Sequence, residues 1–82
     1  MLMKQVYLLR SISHPDQRYI GLTSNIRERL KAHNAGRSYH TSKYIPWEIV
    51  AVFAFQDDVR AGAFERYLKT GSGHAFANKH LW

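Results

Sequence analysis

The sequence predicts an α+β fold: a small three-stranded antiparallel or mixed sheet flanked by helices. Two observations carry this. Three short runs, Val6–Leu9, Arg18–Thr23 and Ile49–Phe55, are rich in β-branched and aromatic residues. Two other stretches, one behind Asn25 and one behind Asp57 or Asp58, place apolar residues at helical spacing after a capping side chain.

The elements follow in order. Val6-Tyr7-Leu8-Leu9 is the first strand. Ser13-His14-Pro15-Asp16 is a turn, because Pro presets φ and Asp bonds its own backbone. Arg18–Thr23 returns as the second strand of a hairpin. Gly21 inside it is locally unfavourable, and marks either a bulge or the close approach of another group to the backbone. Asn25 caps the first helix, with Glu28 at capping-box spacing, Ile26, Leu30 and His33 at helical spacing, and Gly36 as the stop. Arg37–Tyr44 is a polar, basic loop. Pro46 and Trp47 lead into the third strand. The second helix runs to about Thr70 on a stripe of Ala61, Phe64 and Leu68, and Gly71-Ser72-Gly73 breaks it. A short third helix from about His74 is anchored by Phe76 and Leu81.

The 82 residues fit one domain, 1–82, of modest stability. There is no cysteine, which excludes disulfides and thiolate metal sites. No segment reaches the roughly 18 apolar residues of a membrane span. The run Met1–Arg10 is too short for a signal peptide and suits a strand. The expected compartment is the cytoplasm, with no membrane partner. The net charge of +6 and pI of about 10.0 point to a polyanionic partner, although charge alone does not separate nucleic acid from other anionic surfaces.

Several residues are out of place for a plain core. Arg29 shares a helix face with Ile26 and His33, where a charge is costly unless it is paired or reaches the edge. Glu65 borders the stripe of the second helix, as a salt-bridge partner or as a hard oxygen ligand for Mg²⁺ or Mn²⁺. His33 and His40 flank a loop with Arg37, Lys43, Tyr39 and Tyr44, a composition suited to phosphate contact. Tyr7 and Tyr19 are either core aromatics or hydroxyls at a pocket. No zinc spacing, P-loop, dinucleotide fingerprint or Ser-His-Asp set occurs.

Val6-Tyr7-Leu8 followed by Tyr19-Ile20-Gly21 resembles the paired tripeptides of the GIY-YIG nuclease superfamily, with only the Tyr of the first kept. The second continues through Leu22-Thr23-Ser24-Asn25 into a helix with Arg29 and His33. The segment around Glu65, Ala63-Phe64-Glu65-Arg66-Tyr67-Leu68-Lys69, is similar to the family's metal-binding segment. The pattern most resembles small stand-alone bacterial proteins akin to the excinuclease endonuclease domain.

That resemblance implies a metal-dependent endonuclease on DNA, in repair or recombination, using one Mg²⁺ or Mn²⁺. It implies that Tyr7 positions or deprotonates the attacking water, Tyr19 contacts the phosphate or the water, and Arg29 neutralises transition-state charge. His33 would sit near the nucleophile and Glu65 would hold the metal. Gly21, Arg27, Arg37, His40, Lys43 and Lys69 are the expected nucleic-acid contacts. Branched, nicked or damaged duplex DNA is the expected partner, with RNA as a second compatible polyanion. The alternative is a non-catalytic nucleic-acid-binding module that keeps the fold. A guanidinium and a divalent cation suit the charge that phosphodiester cleavage develops. A Tyr of ordinary pKa near 10 is a poor base at neutral pH unless a cation depresses it. Tyr7, Tyr19, Arg29, His33 and Glu65 are expected to converge on one concave face of the sheet.

Overall fold

Alternation along one strand divides the molecule into two halves. Strand β1 (Lys4–Ser11) sends Val6 and Leu8 to one face of the sheet and Tyr7 and Leu9 to the other, and all four are buried. A computed structural model describes residues 3–82; the part of the N-terminal reading that covers residues 1 and 2 lies outside the described residues. The sheet order is β2-β1-β3, with β2 (Arg18–Thr23) and β3 (Trp47–Phe55) both antiparallel to β1. A central strand covered on both faces needs an unbroken apolar run, which is what Val6–Leu9 supplies.

Tyr7 pairs with Gly21, Leu8 with Ile20 and Leu9 with Tyr19, without a register shift between β1 and β2. Gly21 is therefore not a bulge. The irregularity lies on the other side, where Leu8 pairs with Ala51 and Leu9 with Ile49, leaving Val50 as the extra residue. In the hairpin loop the Gln17 amide donates to the His14 carbonyl at 2.8 Å, a turn with Pro15 at its second position.

Helix α1 (Ile26–Asn34) covers the Tyr7 and Leu9 face through Ile26 and Leu30, joined by Tyr44 and Trp47. The Asn25 side chain accepts from the Glu28 amide at 3.2 Å, and Gly36 ends the segment at φ +76. Gln5 on β1 accepts from the Ile26 amide at 2.9 Å, tying the start of α1 to the sheet. Helices α2 (Asp58–Leu68) and α3 (Gly71–His80) cover the opposite face through Ala61, Phe64, Leu68, Ala77 and Leu81. Asp57, not Asp58, is the α2 cap, accepting from the Val59 amide at 2.8 Å. The basic loop is not wholly irregular: Ser42–Tyr44 forms a 3-10 turn. Among the described residues no helix is long and apolar enough to cross a membrane.

The third helix begins earlier than the sequence implies. Gly71-Ser72-Gly73 is its first turn rather than a break, because the Thr70 hydroxyl caps it by accepting from the Gly73 amide at 3.1 Å. Gly73 is required by packing. A Cβ there would run into the Tyr67 carbonyl oxygen and stand 2.6 Å from the Leu68 Cα. Gly73→Ala gains about 1 kcal/mol of helix propensity. It loses more, because the obstructing atoms are backbone and cannot turn aside, and overpacking costs about 1–3 kcal/mol or more. The expected outcome is a lower Tm for Gly73→Ala, measured by thermal denaturation.

Candidate active site

Four of the expected side chains meet on the α1 face. β1 delivers Tyr7, the edge strand β2 delivers Tyr19, and α1 delivers Arg29 and His33 one turn apart. The Tyr7 ring centroid lies 6.1 Å from that of Tyr19 and 5.9 Å from that of His33, and Tyr19 and His33 meet edge-on at 4.9 Å. Gly21 makes this possible: a Cβ at that position would sit 2.5 Å from Tyr7 Cζ, with the hydroxyl nearer still. Of the two sequence readings of Gly21, close approach is the one realised, and the approaching group is Tyr7. Gly21 is buried under that ring, so it makes room for Tyr7 and offers no surface of its own to phosphate.

The hydrogen bonds form one directed chain. Arg29 Nε donates to the Tyr7 hydroxyl oxygen at 3.3 Å. That leaves the Tyr7 proton for His33 Nε2 at 2.9 Å. His33 then carries its proton on Nδ1, which donates to Thr41 Oγ1 at 2.7 Å. This tautomer is assigned from the network, because a guanidinium has no acceptor to offer. Burial lowers the His33 pKa, and the Arg29 charge lowers it further, so the imidazole is neutral and free to accept. Burial also raises the Tyr7 pKa, and outweighs the opposing hydrogen bond from Arg29. The depression of Tyr7 that a phenolate base would need is therefore absent. The bond to Tyr7 raises the Arg29 pKa, so the guanidinium stays charged.

Glu65 does not join this cluster. It sits on α2, against the opposite face of the sheet, so the expectation that all five residues share one face holds for only four. The reason is the layer order: the stripe of Ala61, Phe64 and Leu68 that surrounds Glu65 is drawn to Val6 and Leu8, whereas α1 is drawn to Tyr7 and Leu9. The Glu65 side chain is only 16% exposed and pairs with Lys69 one turn on. α2 packs on the edge strand β2, which carries Tyr19, so Glu65 and the cluster flank one sheet edge from opposite faces. Among the described residues no group of three or more His, Cys, Asp or Glu side chains gathers to hold an ion.

Residues 3–79 match the GIY-YIG catalytic domain. The chain belongs to the GIY-YIG family. Curated relatives include the structure-specific endonuclease subunit SLX1 of Debaryomyces hansenii, 37% identical over 93% of this chain. The proteins of the same name from Candida dubliniensis and Candida glabrata are 36% and 40% identical over 93% and 79% of the chain. The chain spans about a quarter of their length, between 23% and 28%. These relatives are fungal structure-specific endonuclease subunits, so the nearer resemblance to the bacterial excinuclease is not the one the comparisons support.

Of the remaining expected contacts of this GIY-YIG domain, Arg27, Arg37, His40 and Lys43 are exposed on or just after α1, and Lys69 is exposed at the end of α2. The sequence reading missed Thr41, Asn34 and Trp47. Thr41 is buried and holds His33, while its carbonyl accepts from Trp47 Nε1 at 2.9 Å. The Asn34 amide accepts from the Trp47 amide at 2.6 Å and donates to its carbonyl at 3.1 Å, fixing the end of α1 to the start of β3. A threonine or asparagine in a polar segment carries no signal of such a partner.

Two outcomes test the cluster. The folded chain holds His33 neutral, so below about pH 6.5 the unfolded chain binds more protons than the folded one. Stability is complete above that pH and is lost as pH falls toward the lowered folded value. Tm should decline over this window, and His33→Gln should flatten the decline; parallel slopes in the two proteins would refute the assignment. Gly21→Ala should push the Tyr7 ring aside at a cost of about 1–3 kcal/mol, read as a lower Tm and a changed near-ultraviolet tyrosine signal.

Proposed function

We propose that this GIY-YIG domain is a divalent-metal-dependent endonuclease that hydrolyses DNA phosphodiester bonds in repair or recombination. The observation that carries the reading is the directed chain from Arg29 through Tyr7 to neutral His33. Its relatives are called structure-specific endonuclease subunits, which favours branched or nicked duplex as the substrate and a companion chain as the partner.

Tyr7 is 1% exposed, closed off in part by Arg29. A phosphate arriving at the exposed α1 face draws the Arg29 guanidinium onto its oxygens, where the planar fork engages two of them. That movement opens the Tyr7 hydroxyl to water. As the water attacks phosphorus and the P–O bond to the leaving strand breaks, the water's proton passes to the Tyr7 oxygen while the Tyr7 proton passes to His33 Nε2, and the departing oxygen takes a proton from solvent. No free phenolate is needed, and the raised Tyr7 pKa is no obstacle. Thr41 steadies the imidazolium through Nδ1, and Arg29 meets the charge on the non-bridging oxygens. Tyr19 closes the other side of the His33 ring at the edge strand.

Glu65 is the residue that would hold the metal. Its single hard carboxylate fits Mg²⁺ or Mn²⁺, which take one or two protein carboxylates and complete their shells with water and phosphate oxygens. The ion would supply Lewis-acid stabilisation of the developing charge. In the free chain Lys69 neutralises that carboxylate and has to move aside for it.

Cleavage is to be assayed on duplex, nicked, flapped and single-stranded DNA, with and without Mg²⁺ or Mn²⁺. Glu65→Gln should keep the fold and lower the rate by at least about 100-fold, with metal-free DNA affinity unchanged or slightly higher. Arg29→Ala should lower both the rate and the affinity. A Glu65→Gln protein that cleaves normally but melts far lower would make Glu65 a structural ion-pair partner. A wild-type protein that binds DNA and cleaves none of these substrates would make the domain a binding module.

A further inference from the structure

We propose that the cleft between β2 and α3 is a separate subsite for one unpaired nucleotide of the substrate strand, taking its phosphate on Arg18, Lys69 and His74 and its base against Trp82. The cleft is about 380 Å³, within the range that holds a small ligand. Cationic or protonatable side chains from three elements line it: Arg18 from β2, Lys69 from the end of α2 and His74 from the first turn of α3. Among the described residues no Asp or Glu side chain lines it, and Lys69 reaches it while paired with Glu65, one turn back on α2.

Arg18 is held ready. Its Nη1 donates to Asn78 Oδ1 at 2.8 Å, and its guanidinium lies 4.9 Å from the centre of the Trp82 ring. Neither contact supplies a counter-charge, and among the described residues Arg18 has no ion pair. A second, independent sign comes from the neighbouring strand. Arg10 stands opposite Arg18 in the sheet, and its buried Nε has no hydrogen-bond partner. Like charges facing each other across strands are unfavourable, and although Arg10 itself does not line the cleft, an anion bound at Arg18 would ease that repulsion. Glu48 faces Arg10 from β3 but forms no ion pair with it.

The position of the cleft identifies the ligand. Tyr19 lines it and also touches His33, so the cleft begins where the Tyr7 cluster ends. A strand lying across the cluster runs directly into it. A base in continuous duplex is stacked and paired and cannot enter a concave pocket, whereas an unpaired one can lie on an aromatic ring. The subsite rests on the nuclease reading for its place beside the scissile phosphate, and it deepens that reading by choosing substrates with an unpaired nucleotide there.

The test is binding of a short oligothymidylate in EDTA, followed by tryptophan fluorescence and by salt dependence. The wild-type emission should change on binding. Trp82→Phe, which keeps Trp47 as the remaining fluorophore, should abolish the change. Arg18→Gln and His74→Ala should each weaken binding severalfold, and Arg18→Gln should lower the slope of log K against log salt by about 0.7 for each phosphate no longer neutralised. If Arg18 only fastens α3 to the sheet, Arg18→Gln will lower Tm while affinity and slope stay at wild-type values, and the proposal fails. It fails equally if the Trp82 signal does not respond at saturation. A protein that shows the Trp82 response but cleaves nothing would overturn the nuclease reading alone. One that cleaves branched DNA without that response would overturn the cleft alone.

Discussion

The Tyr7 ring occupies the space that a side chain at position 21 would fill, and most of the site geometry descends from that exchange. Because β1 and β2 pair Tyr7 with Gly21, the ring can lie over the neighbouring strand instead of standing away from the sheet. Its hydroxyl then reaches α1, where Arg29 and His33 meet it from adjacent turns. The same ring is part of the core on this face with Leu9 and Trp47. Core packing and site geometry are thus one interaction, and the hydroxyl is held by burial rather than by a mobile side chain.

Burial has an electrostatic consequence that shapes the chemistry. It keeps His33 neutral and Tyr7 protonated, two shifts of opposite sign from one cause. A buried phenol beside a neutral imidazole is suited to passing a proton along, and poorly suited to standing as an anion. Arg29 remains charged at the solvent side of this pair, where a phosphate can reach it. The arrangement separates the neutral, hydrogen-bonded groups, inside, from the charged guanidinium, outside.

The sheet also separates two kinds of chemistry. α1 brings the proton chain to one face, and α2 brings the carboxylate to the other. α2 packs on β2, and the same edge strand carries Tyr19 of the cluster on its other face. The cleft lined by Arg18, Lys69 and His74 opens at the same edge, at its α3 end.

The sequence by itself determined the elements and the chemical cast. The unbroken apolar, β-prone run Val6–Leu9, the Pro15 turn and the caps at Asn25 and at Asp57 or Asp58 are local signals, and local signals survive in one dimension. The charges at Arg29 and Glu65 were legible because each is anomalous for its place in an amphipathic pattern, and the tripeptides around Tyr7 and Tyr19 because they resemble those of the family. Three matters belonged to the tertiary structure. Whether Gly21 was a bulge or a seat for another group depended on register, which is a property of two strands. The roles of Thr41 and Asn34 depended on which buried groups lacked partners, and ordinary polar residues do not advertise that. The face on which Glu65 falls depended on which half of β1 the apolar stripe of α2 chose to cover, a competition between Val6 and Leu8 on one side and Tyr7 and Leu9 on the other. Periodicity tells which side of a helix is apolar; only packing tells which surface it meets.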